Sequence, residues 1–222
     1  MAEMSHYLQY RKNIHSQWGE DGVIAQLLLE LGVEGGYCCE CGANDGVRLS
    51  NTLALAERGG WKALFLESDQ RCEGKLRNLT GYFAGSRYEI VDVAADGPDS
   101  LDNILRRHGW PTDLDVLSID IEMQTYPVWA GLRGQPKILV IEINNATDRQ
   151  DVPAFERTGR STLADMVAMG RAKGYTCVCV TPNVFLVRDD LIEHLSIPPD
   201  ELQRPFDMFI TDREGDRWAK RC

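Results

Sequence analysis

Tyr37-Cys38-Cys39-Glu40-Cys41-Gly42-Ala43-Asn44-Asp45-Gly46, continued by Val47-Arg48-Leu49-Ser50-Asn51-Thr52, is the stretch on which the reading of the fold turns. An apolar run with an acid near its end, two glycines close together and then helix-favouring residues read as strand, tight turn and helix. Gly42 and Gly46 can take backbone conformations closed to other residues and let the main chain approach a ligand. Ser50 or Asn51 can serve the turns that follow. About twenty residues beyond Gly46 a second apolar run, Ala63-Leu64-Phe65-Leu66, ends in Glu67-Ser68-Asp69. An acid at the tip of the second strand of such a unit is placed to accept hydrogen bonds from both hydroxyls of a ribose.

The spacing departs from the dinucleotide fingerprint G-x-G-x-x-G, because Asn44 stands where the second glycine would admit a pyrophosphate. Glu40 and Asp45 also make the loop a poor seat for a diphosphate at a helix N-terminus. Both points argue against a dinucleotide-dependent oxidoreductase. An acid-rich glycine loop suits a cationic ligand without phosphate, and S-adenosylmethionine has that chemistry: a sulfonium and an amino group, a ribose for Glu67, and a carboxylate for backbone N–H groups. The loop alone equally suits an ordinary strand-turn-helix.

The flanks add a resemblance. Ser16-Gln17-Trp18-Gly19-Glu20-Asp21-Gly22, the loop, Gly60 to Glu67, Leu117-Ser118-Ile119-Asp120-Ile121-Glu122, Val140-Ile141-Glu142-Ile143-Asn144, and later Ser161-Thr162-Leu163, Lys173-Gly174-Tyr175 and Asn183 to Arg188 together resemble FkbM-type S-adenosylmethionine-dependent methyltransferases. The likeness runs from about residue 16 to about residue 190. It implies a Rossmann-like class I methyltransferase fold: a mostly parallel seven-stranded sheet with one antiparallel strand and helices on both faces. It also implies O-methylation of a hydroxyl on a sugar, glycan or natural product. The rival is a non-catalytic protein that keeps cofactor binding or only the scaffold. Cofactor contacts are expected from Gln17, Asp21, Glu40, Gly42, Ala43, Asn44, Asp45, Gly46, Asn51, Glu67, Ser68, Asp92, Val93 and Asp120.

The 222 residues suit one domain with a continuous core, residues 1–31 forming a helical N-terminal extension and residues 190–222 an irregular tail. Hydrophobic content of 43% and charged content of 26% are ordinary for a globular chain. The net charge of −10, with scattered Lys and Arg, argues against nucleic acid, whose non-specific binding needs clustered cations. No apolar run is long enough for a bilayer span, and the N-terminus lacks a signal-peptide core, so a cytoplasmic place and a small-molecule or glycan acceptor are expected. Oligomeric state is open, a homo-oligomer included. Seven cysteines, an odd number set mainly in expected strands, fit a reducing compartment. Cys38 and Cys41 have CxxC spacing, but on a strand residues three apart point to opposite faces.

Hydrophobic periodicity predicts helices over 20–31, 49–58, 69–79, 100–107, 126–132 and 162–172, and strands over 37–41, 62–67, 88–95, 116–119, 137–143, 175–180 and 184–187. Alternation of this kind calls for a mainly parallel sheet, whose ligands bind at the carboxyl ends of the strands. Asp45, Glu67, Asp92, Asp120 and Glu142 all fall there. Methyl transfer to a hydroxyl needs a base, and Asp120 at the end of the central strand is the first candidate, with Glu122 second. Asp120, Glu142 and Asn144 could instead hold magnesium or manganese. The metal-free base is preferred, because Met123 to Thr125 stand where relatives of this type carry further polar or acidic residues.

Overall fold

The computed structural model describes residues 6–143 and 162–203. Seven strands form one sheet in the order β3-β2-β1-β4-β5-β7-β6. They are β1 (Gly36–Cys41), β2 (Trp61–Glu67), β3 (Arg87–Ile90), β4 (Val116–Ile119), β5 (Ile138–Glu142), β6 (Tyr175–Val180) and β7 (Asn183–Arg188). The first five pair in parallel, and β7 runs antiparallel between β5 and β6. The three-residue reach from Val180 to Asn183 is too short for a crossover helix, so β6 and β7 must form a hairpin. Register places Glu40 beside Phe65 and Ser118, so the ends of β1, β2 and β4 come level.

The helices are α1 (Glu20–Glu30), α2 (Leu53–Glu57), α3 (Glu73–Tyr82), α4 (Leu101–His108), α5 (Thr125–Gly131), α6 (Leu163–Ala172) and α7 (Pro199–Leu202). Local chemistry sets their ends. A reciprocal capping box starts α6, in which Thr162 Oγ1 accepts from Asp165 N (3.2 Å) while Thr162 N donates to Asp165 Oδ2 (2.9 Å). Gly109, in the left-handed region, stops α4, whose last turn carries Arg106, Arg107 and His108 at the negative end of the helix dipole. The central strands β4 and β5 are covered on both faces, with Leu117, Ile119, Ile138, Leu139, Val140 and Ile141 all fully buried. The N-terminal residues join this core through Tyr7 and Leu8, and Tyr7 Oη donates to Glu30 Oε2 (2.7 Å).

Two expected elements are shorter than their periodicity implies. The helix over 49–58 is only Leu53–Glu57, because Ser50, Asn51 and Thr52 give their donors to Glu40 and Leu49 takes a positive φ of 63°. The strand over 88–95 stops at Ile90, since β2 ends at Glu67 and Val91 N makes the last ladder bond to Glu67 O (2.8 Å). Between Cys177 and Cys179 the register of β6 shifts in a bulge, which interrupts the alternation expected there. Among the described residues no helix is long and apolar enough to cross a membrane.

Candidate functional site

The carboxyl ends of β1, β2, β4 and β5 meet at one edge, and the loop after β1 is bound tightly to its neighbours. Gly42 N and Ala43 N donate to Leu66 O (2.9 and 3.0 Å), and Asp120 N donates to Cys41 O (3.0 Å). Gly42 has φ 84°, and a Cβ there would stand 1.8 Å from the carbonyl oxygen of Asp120. Only glycine allows that approach, so Gly42 is what brings the loop against the end of β4. At Gly46 (φ 77°) a Cβ would meet Leu79 at 2.3 Å, which lets the loop close on α3.

Carboxylates organise the loop from both sides. Glu40 is only 5% exposed; its Oε2 accepts from Ser50 Oγ (2.6 Å) and Thr52 Oγ1 (2.7 Å), and its Oε1 from Asn51 N (2.8 Å). Burial raises its carboxyl pKa, opposed by the bonds from Ser50, Asn51 and Thr52. The acid expected to meet the cofactor thus spends these acceptor positions on the chain itself. Asp45 Oδ1 accepts from Arg48 N (2.8 Å) and Val47 N (3.1 Å), and the Arg48 bond leads in holding its carboxyl below the usual range. Asn51 Nδ2 reaches Ser118 Oγ on β4 (3.1 Å).

Glu67 lies at the tip of β2, half-buried. Its Oε1 accepts from Asp69 N (2.8 Å) and Ser68 Oγ (3.4 Å), and its Oε2 from Asn44 N (2.7 Å), Asn44 itself having a left-handed φ of 50°. Each carboxylate oxygen can accept two donors, so Oε2 keeps a place for one more, as a ribose contact needs. Beyond β3, Asp92 is exposed and Val93 is 4% exposed, an acid and an apolar side chain in succession beside the end of β2.

Asp120, just past β4, and Glu142, closing β5, line the same cleft. Asp120 keeps an exposed face towards the cleft, yet protein packed around its carboxyl raises its pKa. Neighbouring Glu142 opposes that shift, while the charges of Glu122 and Glu20 add to it. Glu122 is exposed, with φ 53°, at the start of the 3-10 turn Glu122–Gln124. Of the proposed metal ligands, Asp120 and Glu142 come together, and Asn144 lies outside the described residues. Among the described residues no group of three or more His, Cys, Asp or Glu side chains gathers that could hold a metal.

Asp120 and Glu142 line a cleft of about 140 Å³ together with Leu49 and Asn51. Its other wall is Gln17, Trp18 and Glu20 on one side and Pro182 and Asn183 of the β6–β7 turn on the other. Fully buried Glu20 ties these two segments together: Oε2 accepts from Trp18 N (2.7 Å), Oε1 from Thr181 Oγ1 (2.8 Å) and Asn183 Nδ2 (3.1 Å). Asp21 instead turns away from the cleft, its Oδ2 accepting from the backbone N–H groups of Ile14, His15 and Ser16 (2.8 Å each). Pro182 and Asn183 reach the cleft only through the chain's return in β7, which chain order alone does not place beside Asp120. A larger cavity, about 610 Å³, lies between α4 and α5, where Asp102 already accepts from Arg133 N and Gly134 N (2.9 Å each).

No protein-family model and no curated protein matches the sequence. Among solved structures, the CurJ carbon methyltransferase is similar with a TM-score of 0.54 and 13% identity, over 82% of this chain and 56% of that one. The CMeT domain of the citrinin polyketide synthase has a TM-score of 0.51 and 12% identity, over 79% of this chain and 55% of that one. The chain thus spans a little over half the length of these neighbours. The chain shares the Rossmann-like fold of these two neighbours, its own sheet being mostly parallel with β7 antiparallel.

Proposed function

We propose that the protein is an S-adenosylmethionine-dependent methyltransferase of FkbM type that methylates a hydroxyl on a sugar, glycan or natural product in the cytoplasm. The observation that carries this reading is the Asp120–Glu142 pair at the strand ends, directly against the Gly42 loop and opening on a cleft. Glu67 would hold the ribose through its free acceptor position, the backbone of residues 42 to 46 the methionine part, and Asp92 and Val93 the adenine. When bound, S-adenosylmethionine supplies a methyl group activated on a sulfonium. The chain's own work is alignment and proton removal: Asp120 accepts the acceptor's hydroxyl proton, with Glu142 beside it in the cleft. Carboxylates and amides around the cleft suit an acceptor rich in O–H donors, which is what favours oxygen as the methylated atom.

Calorimetric titration tests the cofactor. S-adenosylmethionine and S-adenosylhomocysteine should bind wild-type protein, and Glu67→Ala, which removes a charged acceptor from the ribose, should weaken them by about 2–4 kcal/mol. Unchanged affinity in Glu67→Ala would remove the ribose assignment, and no binding to wild type would remove the methyltransferase reading. Tight binding without product from any hydroxylated acceptor would favour the non-catalytic alternative. Methyl transfer, once found, should survive a chelator, because Asp120 serves as a base; loss of activity restored by magnesium would move Asp120 and Glu142 to metal binding.

A further inference from the structure

We infer that Leu49 is an acceptor-selecting residue, held over the cleft to meet an apolar ring beside the reacting hydroxyl, so that the substrate is an amphipathic hydroxylated molecule and not a bare sugar. This rests on the reading of the cleft as the acceptor site. Leu49 has φ 63°, a left-handed conformation costly for any residue with a Cβ and rare for leucine. It is also 47% exposed and lines the cleft with Asp120 and Glu142. A strained backbone that turned a leucine into the core could be explained by packing. Here the strain leaves nearly half of the residue in solvent.

The strain persists because both flanks are tied down. On one side Asp45 Oδ1 takes the N–H groups of Val47 and Arg48. On the other, Glu40 takes Ser50, Asn51 and Thr52 with three bonds of 2.6–2.8 Å. The chain between these clamps is short, and Leu49 absorbs the mismatch. A conformation over-determined by its surroundings in this way is typical of ligand-contacting segments. Glycine or asparagine would take the same φ at little cost, so leucine is the unexpected choice at this position.

The rest of the wall shows what Leu49 would face. Trp18 and Pro182 are the other apolar contributors, and both belong to the segments tied together by Glu20. The remaining lining is amide or carboxylate: Gln17, Asn51, Asn183, Glu20 and the Asp120–Glu142 pair. Asn183 is 8% exposed, and its Oδ1 is enclosed without a hydrogen-bond partner. Three apolar side chains and a set of acceptors fit a molecule with an apolar ring and hydroxyl donors. A fully polar sugar would leave Leu49 and Trp18 against its hydroxyls and gain nothing from them.

Phenyl β-glucoside and methyl β-glucoside carry the same sugar hydroxyls and differ in the apolar aglycone. In calorimetry with full-length protein, the phenyl compound should bind about tenfold more tightly, the scale of one additional apolar contact. The preference should survive in Leu49→Met and collapse in Leu49→Asn and Leu49→Gly. The Asn and Gly variants should melt no lower than wild type, since relief of strain offsets the lost contact. Equal affinity for the two glucosides, binding of neither, or a preference unchanged in Leu49→Asn would overturn the inference. So would a fall of several degrees in the melting temperature of Leu49→Gly, which would make Leu49 a packing residue. Because the readout is glucoside binding, it stands apart from whether S-adenosylmethionine binds or methyl transfer occurs.

Discussion

Asp120→Asn should lower turnover by about 10²–10⁴-fold while leaving cofactor affinity unchanged, because the amide keeps the shape of the side chain and cannot take a proton. The wild-type rate should fall on the acid side through a limb that lies above the ordinary aspartate range, since burial raises the Asp120 carboxyl. The same shift has a stability consequence of definite sign. The folded pKa exceeds the unfolded one, so whatever Asp120 adds to stability is present at low pH and is lost as pH rises through the raised value. Asn has no such ionisation, so at neutral pH the variant should melt no lower than wild type. A rate profile measured with any accepted hydroxyl substrate decides the matter: unchanged turnover at saturation with weakened cofactor binding would transfer Asp120 from catalysis to the cofactor.

Glu40→Ala should be the most destabilising single change at the site, and should act on the fold before it acts on the ligand. Removal of the carboxylate leaves the Asn51 N–H and the Ser50 and Thr52 hydroxyls without their acceptor in a buried place. Each buried orphan costs ~1–3 kcal/mol, so a total of about 3–5 kcal/mol is expected, with some relief from water entering the cavity. For a chain of this size that lowers the melting temperature by roughly 6–20 °C. Chemical denaturation of Glu40→Ala checks it. Wild-type stability with lost cofactor affinity would show that Glu40 serves the ligand directly, the role its place in the sequence suggested.

Glu40 also shows why the site was only partly legible in the sequence. Its position near the end of an apolar run marked it as an acid at a strand end, and every one of the acids Asp45, Glu67, Asp92, Asp120 and Glu142 does fall on the carboxyl side of the sheet. Chain order cannot say which way a carboxylate turns. Glu40 turns to Ser50–Thr52 and Asp21 to the backbone of residues 14 to 16, whereas Asp120 and Glu142 line one cleft. Those choices depend on which donors another segment brings within reach.

The sequence by itself determined the seven strands, the parallel first five with their β6–β7 hairpin, and the glycine loop, because these rest on local quantities: hydrophobic period, turn residues and the length of connections. It also located α6 through Thr162 and its apolar spacing. Only the tertiary structure decided that α2 starts at Leu53, that β3 ends at Ile90 and that Leu49 stands strained over a cleft. Each of these follows from side-chain hydrogen bonds that hydrophobic period does not encode or from the end of a partner strand. The closure of the cleft is the clearest case. Glu20 and Asn183 are separated by 163 positions, and their hydrogen bond exists only because β7 inserts beside β5 and brings its turn back to the start of α1.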